Sequence, residues 1–417
     1  MHGVTLSGDL DHTRLGLLWL LPERADNMMF WPTAGTTLNF DFSDDEKLIQ
    51  DQTARYLNDH CTSEAVRRVL EGDQSHDAAL WQGLADLGLM GTAIPEQYGG
   101  VNAGSLALCL VARELGARLA PVPFASSIYL VSEALLQYGT EAQKAQWLPQ
   151  LATGSVIGAV AVVEQLTELR KGDIACTAQI ESQSGVRLTG RKLLVADGGL
   201  ADLLVVLARS EQGLGLYLVE SDQPGVRREA VATVDPSSDS ASISFDNAAA
   251  QSLGAPGEGW QLLHNLYDRA AVLLSFEQLG GAQSALDMAV DYAKERFAFG
   301  RAIGSFQGLK HLIADMYVAL KLAESNCYYA AWALATDAPE LPLAAATARV
   351  SATKAYQLCA SDNIQVHGGM GFTWEFDCHL YYRRSNYLAL MLGGLSSWEH
   401  KLVDAVAAQQ TNNSAAC

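Results

Sequence analysis

"ALDMAVDYAKERFAFGRAIGSFQ", residues 285–307, begins as a helix, breaks at a short turn and enters a second helix. Apolar residues recur at helical spacing as far as Lys294, and the pattern restarts at Phe306. Arg296 stands at the break. Its planar guanidinium matches two oxygens of a pyrophosphate better than a point charge does. Gln307, eleven residues on, adds an amide that both donates and accepts. On this stretch alone an arginine that merely solvates a helix end is an equal reading, and Phe299 and Phe306 read as core rather than ligand contacts.

The same periodicity extends outward. Patterns over Trp260 to about Lys294, Phe306–Thr336, Leu343 to about His367 and Tyr381–Ala408 predict a four-helix bundle within residues 258–408. "HGGMG", residues 367–371, places three glycines in four positions, which lets backbone N–H groups approach a phosphate or ribose. A corner between helices explains that turn equally well. Residues 155–248 differ in character: "GAVAVVE", "GVRLTGRKLLVA", "ADLLVVLAR" and "ASISFDNAAA" are β-branched or alternating runs between Gly, Asp and Ser, as in an antiparallel sheet with hairpins. Residues 38–154 return to helical spacing, with Ser43 before Asp44–Glu46 as an N-cap. The fold class expected is mostly α, with a small antiparallel β-domain between an N-terminal helical domain and a C-terminal four-helix bundle. Residues 1–37 and 409–417 read as tails.

At 417 residues, two or three domains are expected, and 49% hydrophobic with 18% charged residues describes a globular chain. The balance of 28 basic against 47 acidic side chains, a net charge of -19, repels phosphate backbones and anionic lipid, so neither nucleic acid nor membrane is an expected partner. Seven scattered cysteines with no CxxC pair fit a reduced, cytoplasmic chain without a metal site. "LGLLWLL", residues 15–21, is too short to span a bilayer and follows acidic rather than basic residues.

The order helices, β-domain, bundle, together with "ALDMAVDYAKERFAFGRAIGSFQ", "HGGMGFTWE", "GAPGEGW" and "IPEQYGG", resembles the acyl-CoA dehydrogenase family over residues 38–408. The resemblance implies FAD as cofactor and an acyl-CoA thioester as substrate, in fatty acid or steroid degradation. It further implies an electron-transfer flavoprotein as electron acceptor and a homo- or hetero-oligomer, dimer or tetramer. It assigns Arg296, Phe299 and Gln307 to the flavin pyrophosphate across a subunit boundary, with Gln365, Gly368 and Gly369 as matching contacts. In the implied reaction a Glu carboxylate takes a proton from Cα while the flavin accepts a hydride from Cβ.

The chain departs from that pattern where the chemistry sits. An ungapped count places Leu392, followed by Gly393, at the usual base position, and Ala270 and Ala271 at the position a minority of members use. Asp268 is the nearest replacement base, and Glu277 lies on the same helical face about 10 Å along the axis from Ala270. Ion-pair or packing roles compete for both, and Glu375 and Glu399 read as structural. Val162, Val163, Leu194 and Ala196 stand where the family carries polar and aromatic flavin contacts, which leaves only backbone contacts there, and Ala298 replaces a polar residue. Three roles follow: a subunit paired with a base-bearing partner for bulky acyl-CoA, a self-sufficient enzyme with a displaced base, or a non-catalytic acyl-CoA-binding subunit.

Overall fold

The computed structural model describes residues 42–72, 74–181 and 185–415. The tail over 1–37 lies outside the described residues. Among the described residues, six helices come first: α1 (Asp44–His60), α2 (Ser63–Glu71), α3 (Ala78–Asp86), α4 (Gly104–Ala117), α5 (Glu133–Tyr138) and α6 (Glu141–Ala152). The Ser43 hydroxyl accepts from Glu46 N while Glu46 Oε2 accepts from Ser43 N, a reciprocal capping box that starts α1. A buried π-helical turn, Ala125–Ser132, leads into α5.

The strands are β1 (Gly158–Ala161), β2 (Thr177–Glu181), β3 (Gly185–Ala196), β4 (Leu203–Ser210), β5 (Gly213–Glu220), β6 (Val226–Ala230) and β7 (Ser240–Leu253). They run in the order β1-β4-β2-β3-β7-β5, and β5 returns to pair with β4. The sheet is not wholly antiparallel: β1 pairs with β4 in parallel, and β2 touches β4 in parallel at Thr177–Arg209. Leu203–Ala208 of β4 are fully buried. One side packs with Tyr217, Ile243 and Phe245 inside the sheet, and the other joins the helical core. This explains why "LLVVLA" reads as a continuous apolar run instead of an alternation.

The bundle comprises α7 (Gly259–Glu295), α8 (Gln307–Ala335), α9 (Leu341–His367), α10 (Cys378–Leu390) and α11 (Leu395–Ala415), with a two-residue hairpin, β8 (Phe297–Ala298) and β9 (Arg301–Ala302), between α7 and α8. The fourth helical pattern is therefore two helices. Leu392 (φ 60°) and Gly393 (φ 96°) both take left-handed backbone, which an α-helix cannot contain. Helices α4 and α7 cross backbone to backbone, since a Cβ on Gly116 would fall 1.9 Å from Glu277 O and one on Gly280 1.8 Å from Arg113 O. That crossing sets the height of Glu277 beside the N-terminal helices. Among the described residues no helix is long and apolar enough to cross a membrane.

Candidate functional site

Two regions carry the residues singled out above. In the first, α7 ends at Glu295 and Arg296 leaves it with extended backbone (φ -76°, ψ 123°). The hairpin turns on Phe299 and Gly300, both at positive φ, and returns so that Ile303 N donates to Arg296 O at 2.8 Å. Gln307 then opens α8, whose N-terminus has no side-chain cap, so unpaired N–H groups and the positive end of the helix dipole accompany Arg296. Tyr292, one turn before Arg296, stacks on His367 at 4.0 Å, and Phe376 packs edge-on against both rings. These contacts bring "HGGMG" to the same corner.

Arg296, Gln307, Gln365 and Gly369 are exposed, and a Cβ added to Gly368 or Gly369 would meet nothing within 4 Å. An open backbone, an arginine fork and an uncapped helix start fit the anionic edge of a dinucleotide such as FAD. Phe299 corrects the expectation of a core residue: it is 95% exposed, touching only the edge of the half-buried Phe306.

The second region surrounds the break between α10 and α11. Arg349, fully buried on α9, donates to Met391 O (2.8 Å), Leu388 O and Gln278 Oε1 (2.6 Å), and the Trp398 indole donates to Leu392 O. The corner is thus held rigidly with carbon at its tip. Burial lowers the Arg349 pKa to about 9, against the opposing pull of Glu277. Ala270 and Ala271 are core residues. Asp268 is buried and salt-bridged by Lys401, with burial raising its pKa and Lys401 opposing the rise.

Glu277 instead lines a small cavity with Asp197, Arg384, Leu388 and Met391. Arg384 donates to Asp235 Oδ2 (2.6 Å) and Ser237 Oγ (3.0 Å), and lies 4.0 Å from Glu277. Burial raises the Glu277 pKa, which Arg384 opposes. Burial likewise raises Asp197 to about 7, although Ser126 Oγ donates to it at 2.6 Å. The Tyr129 hydroxyl is buried beside Glu277, and burial first, then the Glu277 carboxylate, push its pKa up.

In the β-domain Val162 is buried, and its carbonyl accepts from Lys192 Nζ. Val163 O accepts from Leu193 N, while Leu194 is half-exposed in left-handed backbone. A buried Lys192–Glu164 pair at 2.6 Å pins this edge. Glu375 is exposed and Glu399 pairs with Lys354 at 2.7 Å. Sequence reasoning passed over Arg384, Arg349, Asp197 and Glu164. One signal for Arg384 was available: Leu380, Arg384 and Leu388 share one buried stripe of α10, so a charge interrupts an apolar row. Among the described residues no group of three His, Cys, Asp or Glu side chains is placed to hold a metal ion.

Comparison with known proteins agrees with this organisation. The family models "Acyl-CoA dehydrogenase, N-terminal domain" and "Acyl-CoA dehydrogenase, C-terminal domain" match residues 43–155 and 257–396. The chain is similar to acyl-CoA dehydrogenase IpdE2 of Mycobacterium tuberculosis, at 34% identity over 84% of this chain and 93% of the relative. Among solved structures it is similar to the Tcur3481–Tcur3483 steroid ACAD (TM-score 0.80, 30% identity, 88% of this chain and 99% of that one). It is also similar to the ChsE4–ChsE5 complex from Mycobacterium tuberculosis (TM-score 0.81, 28% identity, 89% and 99%). The chain belongs to the acyl-CoA dehydrogenase family, FAD-dependent oxidoreductases that act on a CH–CH bond of an acyl-CoA thioester.

Proposed function

We propose that this chain is the supporting subunit of a mixed acyl-CoA dehydrogenase and lends its nucleotide corner to the flavin of a base-bearing partner. One contrast carries the reading. Both places from which the family takes the proton hold only carbon, at Leu392 and at Ala270–Ala271, while Arg296, Gln307 and the open Gly368–Gly369 backbone keep donors suited to a pyrophosphate. FAD supplies the hydride acceptor when bound. Arg296 offsets pyrophosphate charge, Gln307 orients it, and Phe299 covers it from the partner's side. Gln365, Gly368 and Gly369 approach the same nucleotide through backbone and amide, and Val162 and Val163 meet the flavin ring edge through backbone alone.

The ChsE4–ChsE5 complex and the Tcur3481–Tcur3483 steroid ACAD, each naming two different chains, support a dimer or tetramer of unlike subunits acting on a bulky, steroid-derived acyl-CoA. An electron-transfer flavoprotein as electron acceptor and a cytoplasmic location complete the reading.

The test is anaerobic addition of octanoyl-CoA and bulkier acyl-CoAs, followed by the visible flavin absorbance. The chain alone leaves the flavin oxidised, and the chain co-expressed with a base-bearing subunit bleaches it. Arg296→Ala in this chain lowers flavin affinity of the mixed assembly about 10- to 100-fold, the range for a hydrogen bond to a charged group. Bleaching by the chain alone discards the reading.

A second reading is favoured by Glu277, which lines the cavity beside Met391 with a raised pKa, as a tuned base requires. Glu277→Gln then abolishes bleaching by the chain alone. Asp268 is the weaker base because Lys401 holds its carboxylate.

A further inference from the structure

The acyl group of a family substrate lies next to the base position, here the Leu392 corner. Next to that corner, a cavity lined by Met391, Leu388 and Glu277, though not by Leu392 itself, measures about 20 Å³. That is room for one water, whereas pockets for small ligands measure about 300–1,000 Å³. Arg384 takes the missing volume. Its side chain is 5% exposed, and it reaches across from α10 to Asp235 Oδ2 (2.6 Å), Ser237 Oγ (3.0 Å) and the neighbourhood of Glu277 (4.0 Å). Asp235 is itself fixed, accepting from both Ser237 N and Ser237 Oγ.

We infer that the Asp235–Arg384–Glu277 network is an internal plug, which fills the acyl site of this subunit and leaves acyl-group selection to its partner. The inference rests on the supporting-subunit reading and deepens it. The wall is of the wrong kind for an alkyl body as well as the wrong size. An acyl group could enter only by displacing a guanidinium from three buried partners with no water to receive it. The buried hydroxyls of Tyr129 and Tyr356, both in the field of the same network, extend its polar character away from the cavity. An arginine here also explains why the carboxylate of Glu277 is tolerated inside the core: each charge of the network faces an opposite one.

The test compares octanoyl-CoA with free CoA on the native, full-length chain by equilibrium dialysis, so that only the difference made by the acyl group is read. Affinities within threefold of each other are expected. Octanoyl-CoA binding tenfold or more tighter than CoA, at one per chain, overturns the plug. In the triple variant Arg384→Met, Asp235→Asn, Glu277→Leu, the network is replaced by groups that need no partner, and octanoyl-CoA gains at least tenfold over CoA. A cooperatively folded triple variant with no gain shows that these side chains do not obstruct the site and overturns the assignment; if the variant fails to fold, the native comparison still decides. The supporting-subunit reading fails separately, through bleaching by the chain alone. A tight octanoyl-CoA site with partner flavin that still depends on Arg296 therefore sinks the plug and spares that reading.

Discussion

The proposed nucleotide corner and the cavity beside Met391 differ most in how far their polar groups are exposed. At the corner, Arg296, Gln307 and Phe299 are exposed and two glycines face open space. In the cavity, Arg384, Glu277, Asp235 and Asp197 are buried, and the two acids nearest Arg384 share its one positive charge. A group prepared for a ligand carries unspent donors, whereas a group that has become part of the core has spent them on its own chain. On the proposed reading the difference gives binding to the corner and stability to the cavity.

That division is broken most forcefully at Arg384. Arg384→Met strands two buried carboxylates, and removing one partner of a buried pair costs about 3–5 kcal/mol. Arg296→Ala, at an exposed site, changes stability by less than about 0.5 kcal/mol. Urea unfolding of the two variants measures both. Equal losses would erase the distinction.

Phe299 gives the next effect. An exposed phenylalanine in left-handed backbone is disfavoured twice, once by about 1–2 kcal/mol of backbone energy and once by its wetted ring. Phe299→Gly removes the first cost and, less the added chain entropy of glycine, raises the stability of the isolated chain by about 0.5–1 kcal/mol. Within the assembly it loses a ring worth about 1.5–3 kcal/mol of burial, so association weakens about 10- to 100-fold. Thermal unfolding and sedimentation equilibrium read the two signs. A variant that is stabilised and associates normally would make Phe299 a bystander.

How much of this was legible from residues follows from the range of the interactions. The long helices were, because their apolar spacing is local, and so was the turn between Arg296 and Gln307, because it interrupts that spacing. The parallel pairing of β1 with β4 joins segments 45 residues apart (Gly158 with Leu203), and no local pattern marks it. The break between α10 and α11 was hidden because Leu392 is a residue that rarely adopts positive φ, so only Gly393–Gly394 hinted at it. Glu277 was legible as an acid on the helical face of Ala270, but its partner was not. Arg384, 107 residues away in sequence, reaches it only once α10 packs on α7.

Asp197 offers the smallest and most selective probe of the cavity. It faces Ser126, Asp239, Arg384 and Glu277, and burial raises its pKa from an ordinary aspartate value to about 7. The native state therefore keeps a proton that the unfolded chain has already released, so stability falls as pH rises from about 4 through 7 and levels off above. Between pH 6 and 8 the loss attributable to this group is about 1.4 kcal/mol. Asp197→Asn keeps the shape, retains a hydrogen-bond partner for Ser126 and removes the titration, so its unfolding midpoint in urea loses that part of the pH dependence. Arg296 variants leave the Asp197 part of the slope untouched, because Arg296 is not among the charged groups that face Asp197. If Asp197→Asn retains the full native slope between pH 6 and 8, the proton resides elsewhere in the Arg384–Glu277 network and the cavity wall must be reassigned one residue deeper.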